Sequence, residues 1–230
     1  MKTHDVLIPV EGSQPVSGLL HHPSGAWAGF VLAHGAGAGM THPFLSAVAD
    51  GLGQRGIMCL RYQFPFMQQG SKRPDRPALA QRTVRAAVAA AASVAPTLPL
   101  IAGGKSFGGR MTSQAQAETP LANVMGLVFF GFPLHPPKQP SLGRSDHLHA
   151  VQMPMLFLQG TRDALADTAL MRSVVQGLGP RATLHPLEGA DHAFKVPARS
   201  GVSGADVMTD MLDTVAVWAE RLKSNNPIPL

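Results

Sequence analysis

The sequence predicts an α/β fold in which a mostly parallel central sheet carries helices on both faces. Three observations lead there. Short continuous apolar runs, such as Gly29-Phe30-Val31-Leu32-Ala33 and Val124–Phe130, read as strands covered on both sides. Between them lie longer segments with apolar residues three and four apart, the period of a helix. The two kinds alternate from Gly29 onward, the order that builds parallel sheets.

Taken in order, residues 6–9 and 17–21 read as two short strands joined through Glu11-Gly12-Ser13, an antiparallel pair at a sheet edge. The run at 29–33 ends in a glycine-rich turn, His34-Gly35-Ala36-Gly37-Ala38-Gly39-Met40. A helix follows. Thr41 or His42 can cap it, Pro43 suits its first turn, and Phe44, Leu45, Val48, Ala49 and Leu52 form one stripe. Gly53 and Gly56 end it, and residues 57–62 are the next strand. The polar, basic, proline-containing stretch 63–77 reads as a loop, and 78–94 as an Ala-rich helix with Arg82 and Arg85 on its wet side.

A strand from Leu98 leads into a glycine-rich turn at 103–109 and a helix over 109–117. Residues 124–130 are a buried strand, whereas 131–151 is rich in Pro and His with little periodicity, and too short for a substantial cap domain. Residues 155–159 are a strand, Leu170, Met171, Val174, Val175 and Leu178 a helix stripe, and 183–187 a strand. The last helix starts near Ser203, with Asp206 as capping-box partner and Val207, Met211, Val215, Trp218 and Leu222 on its inner face. Residues 225–230 read as a frayed tail.

No repeat or linker divides the 230 residues, so a single domain over 1–230 is expected. The net charge is +5, but the basic residues are scattered without aromatic interleaving, which argues against a nucleic-acid surface. The lone cysteine, Cys59, excludes an internal disulfide and sits in a strand-like run, as a buried structural thiol would. Residues 1–12 lack the apolar core of a signal peptide, and no apolar run approaches a membrane span. The expectation is a cytoplasmic protein without membrane attachment; the sequence is silent on oligomeric state.

The chemistry lies at the strand ends. Gly104-x-Ser106-x-Gly108 matches a nucleophile elbow, in which a strand turns sharply into a helix and exposes a serine hydroxyl. The glycines have a steric reason, since side chains two residues either side of the nucleophile would clash. Asp163 and His192 follow, each just past a predicted strand. Taken alone, Asp163 reads as an ordinary turn residue and His192 as a surface histidine. The chain order Ser106, Asp163, His192 is that of the α/β-hydrolase fold and assigns nucleophile, orienting acid and general base. Asp146 is the reserve acid, and His135, His147 and His149 are the reserve bases. The oxyanion hole is expected from the backbone N–H of Phe107 and, in the glycine-rich turn, of Ala36.

Rival motifs fail. A phosphate loop ending at Gly104-Lys105-Ser106 requires glycine where Pro99 stands, and a dinucleotide fingerprint starting at Gly35 requires glycine where Met40 stands. Lys105 is then the variable residue inside an elbow. No Cys/His spacing resembles a metal site, so neither a metal nor another cofactor is expected.

The sequence resembles the small α/β-hydrolase-like proteins related to dienelactone hydrolases. Within them it resembles the family of a testis-expressed protein and a subunit of the nonspecific-lethal histone-acetyltransferase complex. The matching pieces are His34-Gly35-Ala36-Gly37 with Met40, Arg61-Tyr62-Gln63-Phe64-Pro65-Phe66 and Pro74-Asp75-Arg76-Pro77. They continue with residues 103–111, Gly131-Phe132-Pro133-Leu134-His135-Pro136-Pro137, Leu158-Gln159-Gly160-Thr161-Arg162-Asp163 and Gly189-Ala190-Asp191-His192. The resemblance implies the α/β-hydrolase fold and a triad of Ser106, Asp163 and His192, but no substrate. Dienelactone hydrolases proper use a cysteine nucleophile where this chain has Ser106. The family also contains members regarded mainly as complex subunits.

The expected activity is that of a carboxylesterase-like serine hydrolase acting on a small acyl substrate through an acyl-enzyme on Ser106. The alternative is a non-catalytic scaffold on the same fold. Phe64, Pro65, Phe66, Phe132, His135 and Phe194 are expected to line an open pocket. Lys72, Arg73, Arg110, Lys138, Lys195 and Arg199 lie near loops that would favour an anionic substrate if they faced it, and otherwise are solvated surface charge.

Overall fold

The computed structural model describes residues 3–225. Eight strands form one sheet: β1 (Thr3–Ile8), β2 (Val16–His21), β3 (Ala28–Ala33), β4 (Ile57–Tyr62), β5 (Leu100–Lys105), β6 (Val124–Phe130), β7 (Met155–Gly160) and β8 (Ala182–Leu187). Their spatial order is β1-β2-β4-β3-β5-β6-β7-β8. β1 and β2 form the antiparallel edge and β2 runs antiparallel to β4; every other pairing is parallel. β5, which leads into Ser106, is central, between β3 and β6.

Alternation along the strands divides the core in two. Val31, Ala33, Ala102, Leu127, Phe129 and Phe157 face one side of the sheet, and Phe30, Leu32, Ile101, Val128, Phe130 and Leu158 the other. The first side is covered by α3 (Pro77–Val94), α4 (Phe107–Glu118) and α5 (Thr168–Leu178). The second is covered by α1 (Pro43–Gln54) and α6 (Gly204–Asn225). Both faces of the central strands are therefore dry, which is why β3 and β4 read as unbroken apolar runs.

Helix ends follow local chemistry. His42 caps α1, its ring nitrogen accepting from the Phe44 N–H, with Pro43 in the first turn. Asp167 caps α5 by accepting from the Leu170 N–H. Before α6, the Asp206 carboxylate accepts from the Ser203 N–H at 2.8 Å, while Ser203 Oγ accepts from the Asp206 N–H at 3.1 Å. That is the reciprocal capping box expected from the sequence, with a shorter acid. The tail expected at 225–230 lies, beyond Asn225, outside the described residues.

Two expectations change. The stretch 63–77 is not wholly loop: Pro65–Gln68 forms a single helical turn, α2. Pro65 presets its first residue, and the Asp75 carboxylate accepts from the Phe66 N–H at 3.1 Å. The helix after the elbow starts at Phe107 rather than Gly109. Gly108 and Gly109 lie in its first turn, where the sheet is too close for side chains: a Cβ on Gly108 would stand 2.5 Å from the His34 carbonyl oxygen. Among the described residues, no helix is long and apolar enough to cross a membrane.

A Cβ on Gly104 would collide with the Ala33 carbonyl oxygen and stand 2.7 Å from the Ala33 Cβ, both in the interior of the sheet. Gly104→Ala should therefore cost about 1–3 kcal/mol of stability. Gly143→Ala, where an added Cβ meets nothing within 4 Å, should stay within about 0.5 kcal/mol of the parent. Urea unfolding of the two variants checks both; equal midpoints would contradict the steric account.

Candidate active site

Ser106 stands between the end of β5 and the start of α4 with φ 51 and ψ −113. A residue with a side chain adopts that backbone only where its surroundings impose it. Here they do. The Ser106 N–H donates to the Phe130 carbonyl of β6, its carbonyl accepts from the Arg110 N–H, and Gly104 and Gly108 seat the turn against Ala33 of β3. The hydroxyl is left at the top of the sheet.

Asp163 and His192 reach the same point from the turns after β7 and β8. His192 Nε2 lies 3.0 Å from Ser106 Oγ, and Nδ1 lies 2.7 Å from Asp163 Oδ2. The carboxylate only accepts, so Nδ1 carries the proton and Nε2 is free to accept from the hydroxyl. The Asp163 carboxylate has no exposed side-chain surface, whereas the imidazole is 28 % exposed. Asp163 is held by two further donors: Gln159 Nε2 at 2.6 Å to Oδ2 and the Leu165 N–H at 2.8 Å to Oδ1. The sequence reads Gln159 only as the end of a strand and part of a matching segment; a glutamine inside the buried strand β7 is the signal of this role.

The turn after β3 forms the other wall. Ala36 lines a cavity together with Ser106, and a Cβ on Gly35 would stand 3.8 Å from the Ser106 Cβ. Three hydrogen bonds from the end of β4 hold this turn. Arg61 donates to the Met40 carbonyl at 3.1 Å, Gln63 Oε1 accepts from the Met40 N–H at 2.8 Å, and the Phe64 N–H donates to His34 Nε2 at 2.9 Å. His34 Nδ1 then donates to the Gly35 carbonyl at 2.7 Å. Burial lowers the His34 pKa to about 4, outweighing the upward pull of the Gly35 carbonyl, so the ring is neutral near pH 7. Among the described residues, neither the Ala36 nor the Phe107 N–H meets a protein acceptor. Ala36 lines the cavity that Ser106 opens into, and Phe107 follows Ser106 at the N-terminus of α4, where the helix dipole favours negative charge.

Comparison with known proteins agrees with this architecture. The family described as "Alpha/beta hydrolase domain" matches residues 26–220. The chain belongs to the α/β-hydrolase family. Solved structures share its fold. A dienelactone hydrolase from Anabaena variabilis superposes with a TM-score of 0.77 at 22% identity, covering 96% of this chain and 97% of that one. XC6422 from Xanthomonas campestris, described as a serine hydrolase without a lid, gives 0.74 at 19% identity, with 95% of each chain covered. An esterase domain from Rhodothermus marinus gives 0.72 at 17% identity, covering 96% of this chain and 99% of that one. At these identities the likeness carries the fold and not the activity.

In this α/β hydrolase the cavity at Ser106 measures about 390 Å³ and is bordered by the turn at 35–38, His42, Phe44, Leu45, Lys105, His192 and Ala193. None of the six residues expected to line a pocket borders it. Phe64 and Phe66 are buried beneath the turn after β3, ringed against His34 and Phe107, with Pro65 buried between them. Phe132 packs on Phe129 and Phe157 in the core. Phe194 is buried behind the lining, stacked 5.5 Å from Phe44. His135 is a buried staple: Nδ1 donates to the Pro136 carbonyl and Nε2 accepts from the Asp167 N–H, each at 2.8 Å. Loop aromatics are drawn into the core by their area, which sequence position does not reveal.

The reserve groups lie elsewhere. Asp146 and His149 are exposed, and His147 pairs with Ser113 Oγ at 2.8 Å, its pKa lowered by burial and by Arg110 to about 4. Lys72, Arg73, Lys138, Lys195 and Arg199 are exposed and, like Arg110, do not border the cavity; among the described residues its one Lys or Arg is Lys105. Among the described residues, no group of three or more His, Cys, Asp or Glu converges as a metal site would require.

The neutral His34 has a measurable consequence. Between the ordinary 6.5 and about 4, the unfolded chain binds a proton at this position that the folded chain does not. Stability should therefore fall as pH drops through that window. His34→Gln removes that titration, so its stability should decline less steeply than wild type between pH 6.5 and about 4. Chemical unfolding across that range reads the difference; parallel curves would contradict a neutral buried His34.

Proposed function

We propose that this protein is a serine hydrolase that cleaves a carboxylic ester or related acyl bond of a small substrate through an acyl-enzyme on Ser106. The observation that carries the reading is the continuous relay from Ser106 Oγ through both nitrogens of His192 to Asp163, at 3.0 and 2.7 Å. In the first step His192 Nε2 takes the hydroxyl proton as Oγ bonds to the acyl carbon. Asp163 stabilises the imidazolium that results. The negative charge developing on the acyl oxygen is met by the N–H groups of Phe107 and Ala36, already oriented and partly shielded from water. His192 then returns the proton to the departing group, which leaves as an alcohol or thiol. In the second step His192 takes a proton from water, whose oxygen attacks the acyl carbon, and the acid departs as Oγ regains its proton.

The cavity of about 390 Å³ and the lack of a large cap favour small or exposed acyl groups. The narrower likeness to a family with complex subunits suggests the scaffold reading instead, and the aligned relay favours turnover over it. Ser106→Ala should lower hydrolysis of short p-nitrophenyl esters by at least about a thousandfold. Wild type should be labelled at Ser106 by a fluorophosphonate. A chain that is inactive on short esters and thioesters and takes no label would be a scaffold.

A further inference from the structure

The ammonium of Lys105 is a charge that the reaction above does not use. The residue precedes Ser106 at the end of β5. Its stem passes under the turn after β3, where a Cβ on Gly35 would stand 3.7 Å from its Cγ. Its tip reaches across the end of β6, where a Cβ on Gly131 would stand 2.9 Å from Nζ and 3.5 Å from His192 Nδ1. There Nζ donates to the backbone carbonyl of His192 at 2.6 Å and lies 4.8 Å from the centre of the Phe194 ring. One side chain thus joins the strand of the nucleophile to two residues of the loop that carries the base.

That loop is strained, and apart from its bonds to the turn after β7, His192–Asp163 and Arg162–Ala190 among them, it is bonded largely to itself. Phe194 has φ 62, the left-handed region that disfavours residues with side chains. Asp191 Oδ1 accepts from the N–H groups of Ala193 and Lys195 at 2.8 and 2.9 Å, and the Asp191 N–H donates to the Lys195 carbonyl at 2.9 Å. Those bonds set the curvature of the loop without attaching it to β5. Among the described residues, the hydrogen bonds that do so are His192–Ser106 and Lys105–His192. The first must break and re-form during the reaction; the second need not. An apolar side chain would border the cavity without the desolvation cost of an ammonium. What lysine adds is a charged donor of the right reach, and a charge-assisted bond to a carbonyl is stronger than a neutral one.

We propose that Lys105 is a positioning residue: its ammonium holds the carbonyl of His192 and so fixes the loop that presents the imidazole to Ser106. The proposal rests on the hydrolase reading of Ser106. The titratable groups facing the ammonium are Asp163 from the turn after β7 and Asp191 and His192 from the turn after β8. Gly35 and Gly131, which border its stem and tip, carry no charge. Burial lowers the Lys105 pKa to about 8, against the upward pull of Asp163 and Asp191. Above that pH the amine holds the carbonyl more weakly, so turnover declines as pH rises through about 8. Stability moves the opposite way. Between about 8 and the ordinary 10.5, the unfolded chain holds a proton that the folded chain has released, so this residue favours the fold more as pH rises. A residue that served stability alone would not separate the two.

The test uses Lys105→Met, which keeps the stem, and Lys105→Cys alkylated in the folded state with either bromoethylamine or iodoethane. The first alkylation restores an amine and the second does not. Cys59 is fully buried with its thiol pushed up to about 12, so it stays unreacted, as intact mass will verify. Fluorophosphonate labelling rate, kcat and KM on a p-nitrophenyl ester, and thermal unfolding are followed across the pH range. Labelling and kcat of the methionine variant should be about tenfold or more below wild type with KM little changed, and without the decline near pH 8. The aminoethyl arm should recover most of that loss and the ethyl arm none of it. Labelling rates and pH profiles that match between wild type and Lys105→Met, or equal recovery with both arms, overturn the proposal. A wild type that takes no label at Ser106 removes the hydrolase reading itself, and this proposal with it.

Discussion

The backbone of Ser106 is the constraint on which the rest of the site depends. At φ 51 and ψ −113 it lies where a serine would not rest unaided. It is held by the close approach of three segments: the end of β5, the first turn of α4 and the end of β3. Gly104 and Gly108 permit that approach because neither has a side chain to lodge against Ala33 and the His34 carbonyl. The same contact brings the turn after β3 beside the hydroxyl. One packing event therefore exposes the Ser106 hydroxyl and brings Ala36 to the same cavity.

Around that point, neutral hydrogen bonds do most of the positioning. His34 and His135 are used in the same way. Each donates from Nδ1 to the next residue's carbonyl and accepts at Nε2 from a backbone N–H some thirty positions along the chain. One ties the turn after β3 to the end of β4, the other ties the segment after β6 to the cap of α5 beyond Asp163. A buried imidazole suits the task because a single ring satisfies one donor and one acceptor without carrying charge. Arg61 and Gln63 complete the first clamp by taking the Met40 carbonyl and N–H. The turn that carries Ala36 is thus held by the protein's own hydrogen bonds, and under the proposed mechanism its N–H would need no reorientation to meet a developing charge.

Charge is concentrated on the histidine side. Asp163 is buried with Gln159 and the Leu165 N–H on its oxygens, and Lys105 lies across the end of the sheet from it. Among the described residues no carboxylate borders the cavity, while the N-termini of α1 and α4 and Lys105 do. Those helix ends and that lysine would favour negative charge in the cavity.

By itself the sequence determined the order of strands and helices and the triad candidates. Periodicity is a local property, and Ser106, Asp163 and His192 each lie in the turn after a strand, so their common location at one end of the strands follows from parallel topology. Caps such as Ser203 with Asp206 were legible for the same reason. Only the tertiary structure decided what lines the cavity and what holds the loops. Phe64, Phe132 and Phe194 sit in loops and Phe66 in the single turn α2, yet their rings are buried, because a large apolar surface is drawn to the nearest core whatever its chain position. His42 and Phe44, which read as cap and helix stripe, border the cavity because α1 starts beside Ser106. Lys105 read as a variable residue inside a motif. Its reach to His192, 87 positions away, exists only once β5, β6 and the loop after β8 have been brought together.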